Sequence, residues 1–185
     1  MDSNIVWWTL LGAVLIFSIY AAFVIKNEKK DAVNRGIPLS FHGFTFAIPC
    51  WWTATTKSDD FITYERTDTR YDWKACFHWL PSETIKEDPQ SIFEKMTTKR
   101  NIVLDHETAV IKVPTMLIDL NNQGIEALRV EGTATEDNEH RIYYDAFVFK
   151  GSDGYLFMES RSSILNGLLE GPFFEQCLLK AQKSL

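Results

Sequence analysis

Cysteine is scarce in this chain: Cys50, Cys76 and Cys177, an odd number with no C-x-x-C pair. That spacing gives neither a disulfide framework nor a redox or zinc motif. It leaves three small buried hydrophobes as the ordinary reading, with pairing of Cys50 and Cys76 in an oxidising compartment left open. A glycine-rich phosphate loop, a G-x-G-x-x-G turn and a G-x-S-x-G elbow are all missing, and with them the motif-borne nucleotide and serine-hydrolase chemistries. The four histidines, His42, His78, His106 and His140, lack metal-ligand spacing. No Asn-x-Ser/Thr sequon occurs, so glycosylation says nothing about sidedness. Basic clusters are absent as well. With 19 basic against 25 acidic residues the net charge is −6, a surface that repels phosphate backbones, and no nucleic-acid partner is expected.

What the chain does have is one long uncharged apolar run, residues 5–25. At a helical rise of ~1.5 Å per residue it spans about 30 Å, the hydrocarbon thickness of a bilayer. A secretory signal would need a basic segment before it and a shorter apolar core. Here Met1-Asp2-Ser3-Asn4 carries no Lys or Arg, and Phe23-Val24-Ile25 continue beyond the small pair Ala21-Ala22. Trp7 and Trp8 near one end and Tyr20 nearer the other suit the aromatic belts of the membrane interface. Ser18 and Ala22 form a small-xxx-small pair of the kind that lets helices approach. Lys26, Lys29, Lys30 and Arg35 follow the run, so the positive-inside rule places the following domain in the cytoplasm. The outer or periplasmic side, where single-pass anchors often present small β-rich domains, is the alternative.

Residues 1–25 are therefore expected to be a transmembrane anchor, 26–39 a helix extension fraying into a linker, and 40–185 a soluble domain. All Lys and Arg and every acid except Asp2 lie after the anchor. From Ser40 the pattern turns β-like, ending at Pro49. Strands are expected over Trp51–Thr56, Phe61–Arg66 and Tyr71–Trp79, the last with Tyr71, Trp73, Ala75, Phe77 and Trp79 on one face. Asp88 before Pro89 marks a helix start, and Ile92, Phe93 and Met96 recur at helical spacing up to about Arg100. Short strands are expected over 101–104, 109–113 and 116–120. Three β-rich stretches, 124–135, 141–150 and 155–160, joined by turns at 136–139 and 151–154, form an antiparallel meander. A last helix starts at Gly171-Pro172, with Phe173, Phe174, Cys177, Leu178 and Ala181 on one face. The fold class is α+β, an antiparallel sheet packed by helices behind a single transmembrane helix.

Chemistry finds little purchase. His78 lies out of phase with the apolar face of its strand and is expected to be exposed. Cys76 and His78 share a strand face but lack an orienting third group. Asp105-His106-Glu107 is a turn, Asp59-Asp60 is another, and Gly151-Ser152-Asp153-Gly154 lacks the remaining ligands of a calcium loop. No catalytic residue, cofactor site or metal site is assigned. Cys50-Trp51-Trp52 stands out instead. Adjacent strand residues face opposite sides, so one tryptophan enters the core and the other is half exposed or covered by a partner. Trp51 and Trp52 are the candidate partner contacts.

The run Phe44-x-Phe46-x-Ile48-Pro49-x-x-Trp52 resembles the opening strand of domains similar to photosystem II extrinsic protein P and Mog-type Ran-binding proteins, the PsbP/Mog-like domains. Arg129-Val130-Glu131-Gly132, the Tyr143–Lys150 and Tyr155–Ser160 strands and the closing Phe173–Leu185 helix follow in similar order, covering most of residues 40–185. Pro49-Cys50-Trp51-Trp52 departs from the Pro-x-Gly-Trp opening usual there. The resemblance implies an antiparallel sheet between helices and non-enzymatic accessory or assembly roles, with no catalytic residue to carry over. The expectation is a single-pass, membrane-anchored accessory or assembly subunit, acting through protein–protein contacts within an integral membrane protein complex and not as an enzyme. The alternative is an anchored binding module for a small apolar ligand or lipid between sheet and helix.

Overall fold

The computed structural model describes residues 3–66, 72–82, 87–111, 117, 120 and 122–183. The amino-terminal run is helical: α1 covers Ser3–Asn34. Its segment Val6–Glu28 is long and apolar enough to cross a membrane, and none of it is buried against the rest of the chain. The helix does not stop at the end of the apolar run. Lys26, Glu28, Lys29, Lys30 and Ala32 are good helix formers, so residues 26–34 continue it, and the first strand begins at Ile37. Residues 1–35 and 36–185 form two separate compact units.

The second unit begins with a hairpin, β1 (Ile37–Phe41) and β2 (Phe44–Ile48), where the sequence pattern suggested one continuous strand. The break falls at His42 and Gly43, both at positive φ (45° and 77°). This is a two-residue turn whose twist suits the flanking strands. Next come β3 (Trp52–Lys57), β4 (Phe61–Arg66) and β5 (Lys74–Pro81). Helix α2 follows over Pro89–Lys99, and the Asp88 side chain accepts the Ser91 backbone N–H at 2.8 Å. This is the cap and first-turn proline that the sequence signals. β6 (Ile102–Leu104) and β7 (Ala109–Ile111) are short. The strand expected over 116–120 falls largely outside the described residues, as do Tyr71 and the turn at 67–70.

The meander is long: β8 (Ala127–Glu136), β9 (His140–Lys150) and β10 (Gly154–Ser162). Asp137 and Asn138, at φ 53° and 58°, make the tight turn between the first two. α3 spans Ile164–Leu179, and β11 (Gln182–Lys183) closes the described chain. Eight strands form one antiparallel sheet in the order β3-β4-β5-β10-β9-β8-β6, with β7 also paired to β8. A three-stranded sheet runs β1-β2-β11.

Both faces of the large sheet are covered, which is why β9 and β10 are apolar on alternate and intervening positions alike. On one face Trp73, Ala75, Phe77, Phe147, Phe149, Leu156 and Met158 pack with β2 and with Phe174, Cys177 and Leu178 of α3. On the other, Val130, Ile142, Tyr144, Ala146, Val148, Tyr155 and Phe157 pack against Ile92, Phe93 and Met96 of α2. The architecture is the expected α+β one, an antiparallel sheet between helices.

The last helix starts seven residues earlier than Gly171-Pro172 suggested. Its first turn is capped from a distance: Asp72 accepts the Ser163 backbone N–H at 3.0 Å and the Asn166 side-chain amide at 2.7 Å. Partial burial works against ionisation of Asp72, yet these hydrogen bonds hold its carboxyl below the usual range. Gly167 is a close-approach residue, since a Cβ there would lie 2.4 Å from the Tyr143 Cβ. Small residues at this point let α3 lie flat on the Tyr143 ring.

Candidate functional site

The structure places polar chemistry in three buried clusters, and apolar surface on two helices. The first cluster joins α3 to the entrance of β3. Glu170 is fully buried, and its carboxylate pairs with Arg66 at the end of β4. The same carboxylate accepts the indole N–H of Trp52 at 3.2 Å and of Trp51 at 3.4 Å. Trp52 is 5% exposed and lies 4.4 Å from Trp73. Trp51 sits in the turn before β3, half-buried, edge-on to Phe173 at 5.0 Å and with the Arg66 guanidinium 5.9 Å from its ring. Strand alternation does not send the two indoles apart, because Trp51 precedes the strand and both N–H groups converge on one carboxylate. Trp52 is a core residue, and Trp51 is the one still reachable from outside.

The second cluster lies on the same face at the far margin. Arg129 of β8, almost wholly buried, pairs with Asp145 at 3.3 Å, Glu131 at 2.8 Å and Glu175 of α3 at 3.0 Å. Tyr143 donates its hydroxyl to Glu131 at 2.6 Å. Burial pushes the Asp145 carboxyl up to about 7, against the opposing pull of Arg129, with Glu131 and Glu175 adding to the rise. Burial and the Glu131 bond likewise push the Tyr143 phenol up.

The third cluster is on the opposite face. Glu159 of β10, fully buried, pairs with Arg100 at the C-cap of α2, meets Arg161 at 3.4 Å and accepts the Tyr144 hydroxyl at 2.8 Å. Cys76 and His78 share this face. His78 is half-buried rather than exposed, because Phe61 of β4 packs edge-on against it at 5.3 Å. Burial, with Arg100 and Lys99 nearby, lowers its pKa despite Asp60. A cleft of about 350 Å³ opens beside this cluster, lined by Asp72, Lys74, Glu136, Asp137, Ile142, Arg161 and Ser162. Arg161 is already paired with Glu136.

The remaining sequence candidates resolve into structural parts. Asp105 accepts Thr133 and Arg141 (the latter at 3.0 Å) and ties the β6–β7 turn to the meander. His42 stacks on Trp79 at 4.5 Å and bonds the Asp59 carbonyl. The three cysteines are free, Cys50 exposed and Cys76 and Cys177 buried. Among the described residues no group of three or more His, Cys, Asp or Glu side chains has metal-binding geometry. On α1, Trp7, Trp8 and Tyr20 are 66–73% exposed, Ala22 is exposed, and Ser18 bonds back to the Val14 carbonyl at 2.8 Å.

One feature lay beyond the sequence reading. The first half of α3 exposes Leu165 (72%), Leu168 (60%) and Leu169 (49%). Pro172 and Phe173 continue the face at intermediate exposure, and Trp51 touches it through Phe173. The i, i+3, i+4 spacing was there to be found, but the helix start that gives it meaning was not. The only acid in this stretch, Glu170, points inward.

No family model matches the sequence, and no curated protein matches it. Solved structures do. The solution structure of cyanobacterial PsbP (CyanoP) from Synechocystis sp. PCC 6803 matches at TM-score 0.54 and 10% identity, covering 80% of this chain and 93% of that one. The fold is PsbP-like. A Pseudomonas aeruginosa protein of unknown function also matches, at TM-score 0.48 and 8% identity, over 79% of this chain and 95% of that one. The PsbP-like likeness covers the fold foreseen from Phe44–Trp52 and the meander; the buried acids and α3 face described above belong to this chain's own residues.

Proposed function

We propose that this chain is a single-pass membrane protein whose PsbP-like domain serves as an accessory or assembly subunit of a larger membrane protein complex, by contact and not by catalysis. The observation that carries this reading is α1. Val6–Glu28 leaves its large apolar side chains exposed, which in water is a large cost and in a bilayer is none. The domain supports it from the other side, since its buried charges are engaged with one another across helix–sheet junctions. The polar lining of its cleft gives no specific support to a module for apolar ligands. Lys26, Lys29, Lys30 and Arg35 favour a cytoplasmic domain, and protease protection in sealed vesicles tests that side.

The deciding experiment is gentle detergent extraction of the tagged full-length protein with mass spectrometry of what co-migrates. A stoichiometric membrane complex is expected. A lone chain recovered from native membranes under every mild detergent would overturn the subunit reading. Resistance of the protein to alkaline carbonate tests the anchor separately.

A further inference from the structure

We propose that Arg129, Asp145, Glu131 and Glu175 form a clasp on the C-terminal half of α3, which holds while the cluster keeps one proton and slackens when that proton leaves. This goes beyond the subunit reading and does not depend on it. The geometry is one guanidinium among three carboxylates. Arg129 meets Glu131 at 2.8 Å and Glu175 at 3.0 Å, but Asp145 at the longer distances of 3.3 and 3.4 Å. Asp145 is also the most deeply buried of the three acids, its side chain 1% exposed against 38% for Glu131 and 27% for Glu175. A third negative charge in that setting has no second cation among the described residues of the cluster to offset it, so the proton belongs on Asp145. Burial accordingly pushes its carboxyl up to about 7, with Glu131 and Glu175 adding to the rise against Arg129.

The other groups around Asp145 do not alter this balance. Strand β10 sets the uncharged Ser160 opposite it, and β7 brings Ala109, Val110 and Ile111 against β8. On β9 itself the Tyr143 phenol, pushed up by burial and by its bond to Glu131, stays protonated through the neutral range. The other inward acid of α3, Glu170, is engaged by Arg66. Asp145, Glu131 and Arg129 are held in paired strands. Glu175 arrives on a helix, so it is the member that gives way. From Gly171 to Leu179 it is the sole charged side chain. It stands close to the negative end of a helix whose last turn carries no base. After α3 comes the two-residue β11, paired to β2. The slackened segment is therefore Phe174–Leu179 with β11, a terminal element of the kind that opens separately from the rest of its fold.

Two buried thiols serve as reporters: Cys177 on the slackened segment and Cys76 in β5 of the sheet. Full-length protein carrying Cys50→Ser is treated in detergent micelles with iodoacetamide from about pH 5.5 to about pH 8.5, the interval that brackets loss of the proton. Alkylation at each cysteine is followed by mass spectrometry, and each rate is divided by that of a cysteine peptide at the same pH. Cys177 should react faster than Cys76 and with little dependence on added urea, and its corrected rate should rise severalfold across the interval. Asp145→Asn, neutral at every pH, should flatten that rise. Glu175→Gln, at a half-buried position that folding tolerates more readily, should flatten it as well and decides the matter if the first variant does not fold. Equal rates at both cysteines with the same steep urea dependence would show that α3 opens only with the whole domain and would overturn the inference. A corrected Cys177 rate that is flat with pH would overturn it too, and so would a rise that survives in Glu175→Gln.

Discussion

The two faces of the large sheet solve one problem with opposite assignments. Each is roofed by one helix, and each helix is fastened by a fully buried glutamate. On the α3 side the helix brings the acid, Glu170, and the sheet end brings the base, Arg66, with two indole N–H groups in support. On the α2 side the sheet brings the acid, Glu159, and the helix C-cap brings the base, Arg100, with Tyr144 and Arg161 in support. The outer surfaces then diverge. α2 shows charge to its surroundings, and the first half of α3 shows leucine. Inner packing does not distinguish the helices; what each exposes on its far side does.

The sharpest way to break this symmetry is to strip the base from each side. Arg66→Ala leaves the fully buried Glu170 with two neutral indole donors and should cost about 3–5 kcal/mol in urea unfolding. Arg100→Ala leaves Glu159 with the Arg161 guanidinium and the Tyr144 hydroxyl and should cost less, about 1–3 kcal/mol. Equal losses would show that Arg161 does not compensate for Arg100. Next in size is Gly167→Ala, whose new methyl would meet Tyr143 and should cost about 1–3 kcal/mol.

A pH series probes the α3 side through its buried acid, while the lowered His78 pKa reports on the α2 side. The Asp145 carboxyl sits at about 7 in the fold against 3.8 as a free side chain, so the folded state holds the extra proton between those values. Stability should fall as pH rises through that interval, and Asp145→Asn should flatten the slope. Asp72, held low by its hydrogen bonds, acts with the opposite sign: its contribution is present above its unfolded value and lost as the solution becomes more acid. The smallest effect belongs to the exposed Lys95–Glu87 pair at 2.7 Å, where Lys95→Ala should change stability by under ~1 kcal/mol.

These junctions also mark where sequence reading succeeded and stopped. The apolar run, the Asp88-Pro89 helix start, the face Trp73-Ala75-Phe77-Trp79 and the meander were legible because each signal is local: a length, a cap, an alternation of two. The start of α3 was not. Its capping acid, Asp72, stands ninety-one residues before Ser163, and Gly167, Gly171 and Pro172 look like helix breakers until the Tyr143 ring beneath them is seen. His42-Gly43 hid a hairpin because the aromatic pattern carries across the turn. Glu159, Glu170, Arg129 and Asp145 interrupt the apolar pattern and look like surface positions, since their partners come from other strands and helices. The leucine face of α3 went unread with the helix start that frames it.

The brevity of the Arg35-Gly36 connection has a consequence in the arithmetic of encounter. If α1 spans a membrane as proposed, a domain tethered this closely meets other members of the same complex as an intramolecular event, at an effective concentration of roughly millimolar. Contacts with dissociation constants near that value, invisible between free molecules, would be occupied much of the time. For this chain, weak surfaces suffice, and the connection decides which of them are ever presented.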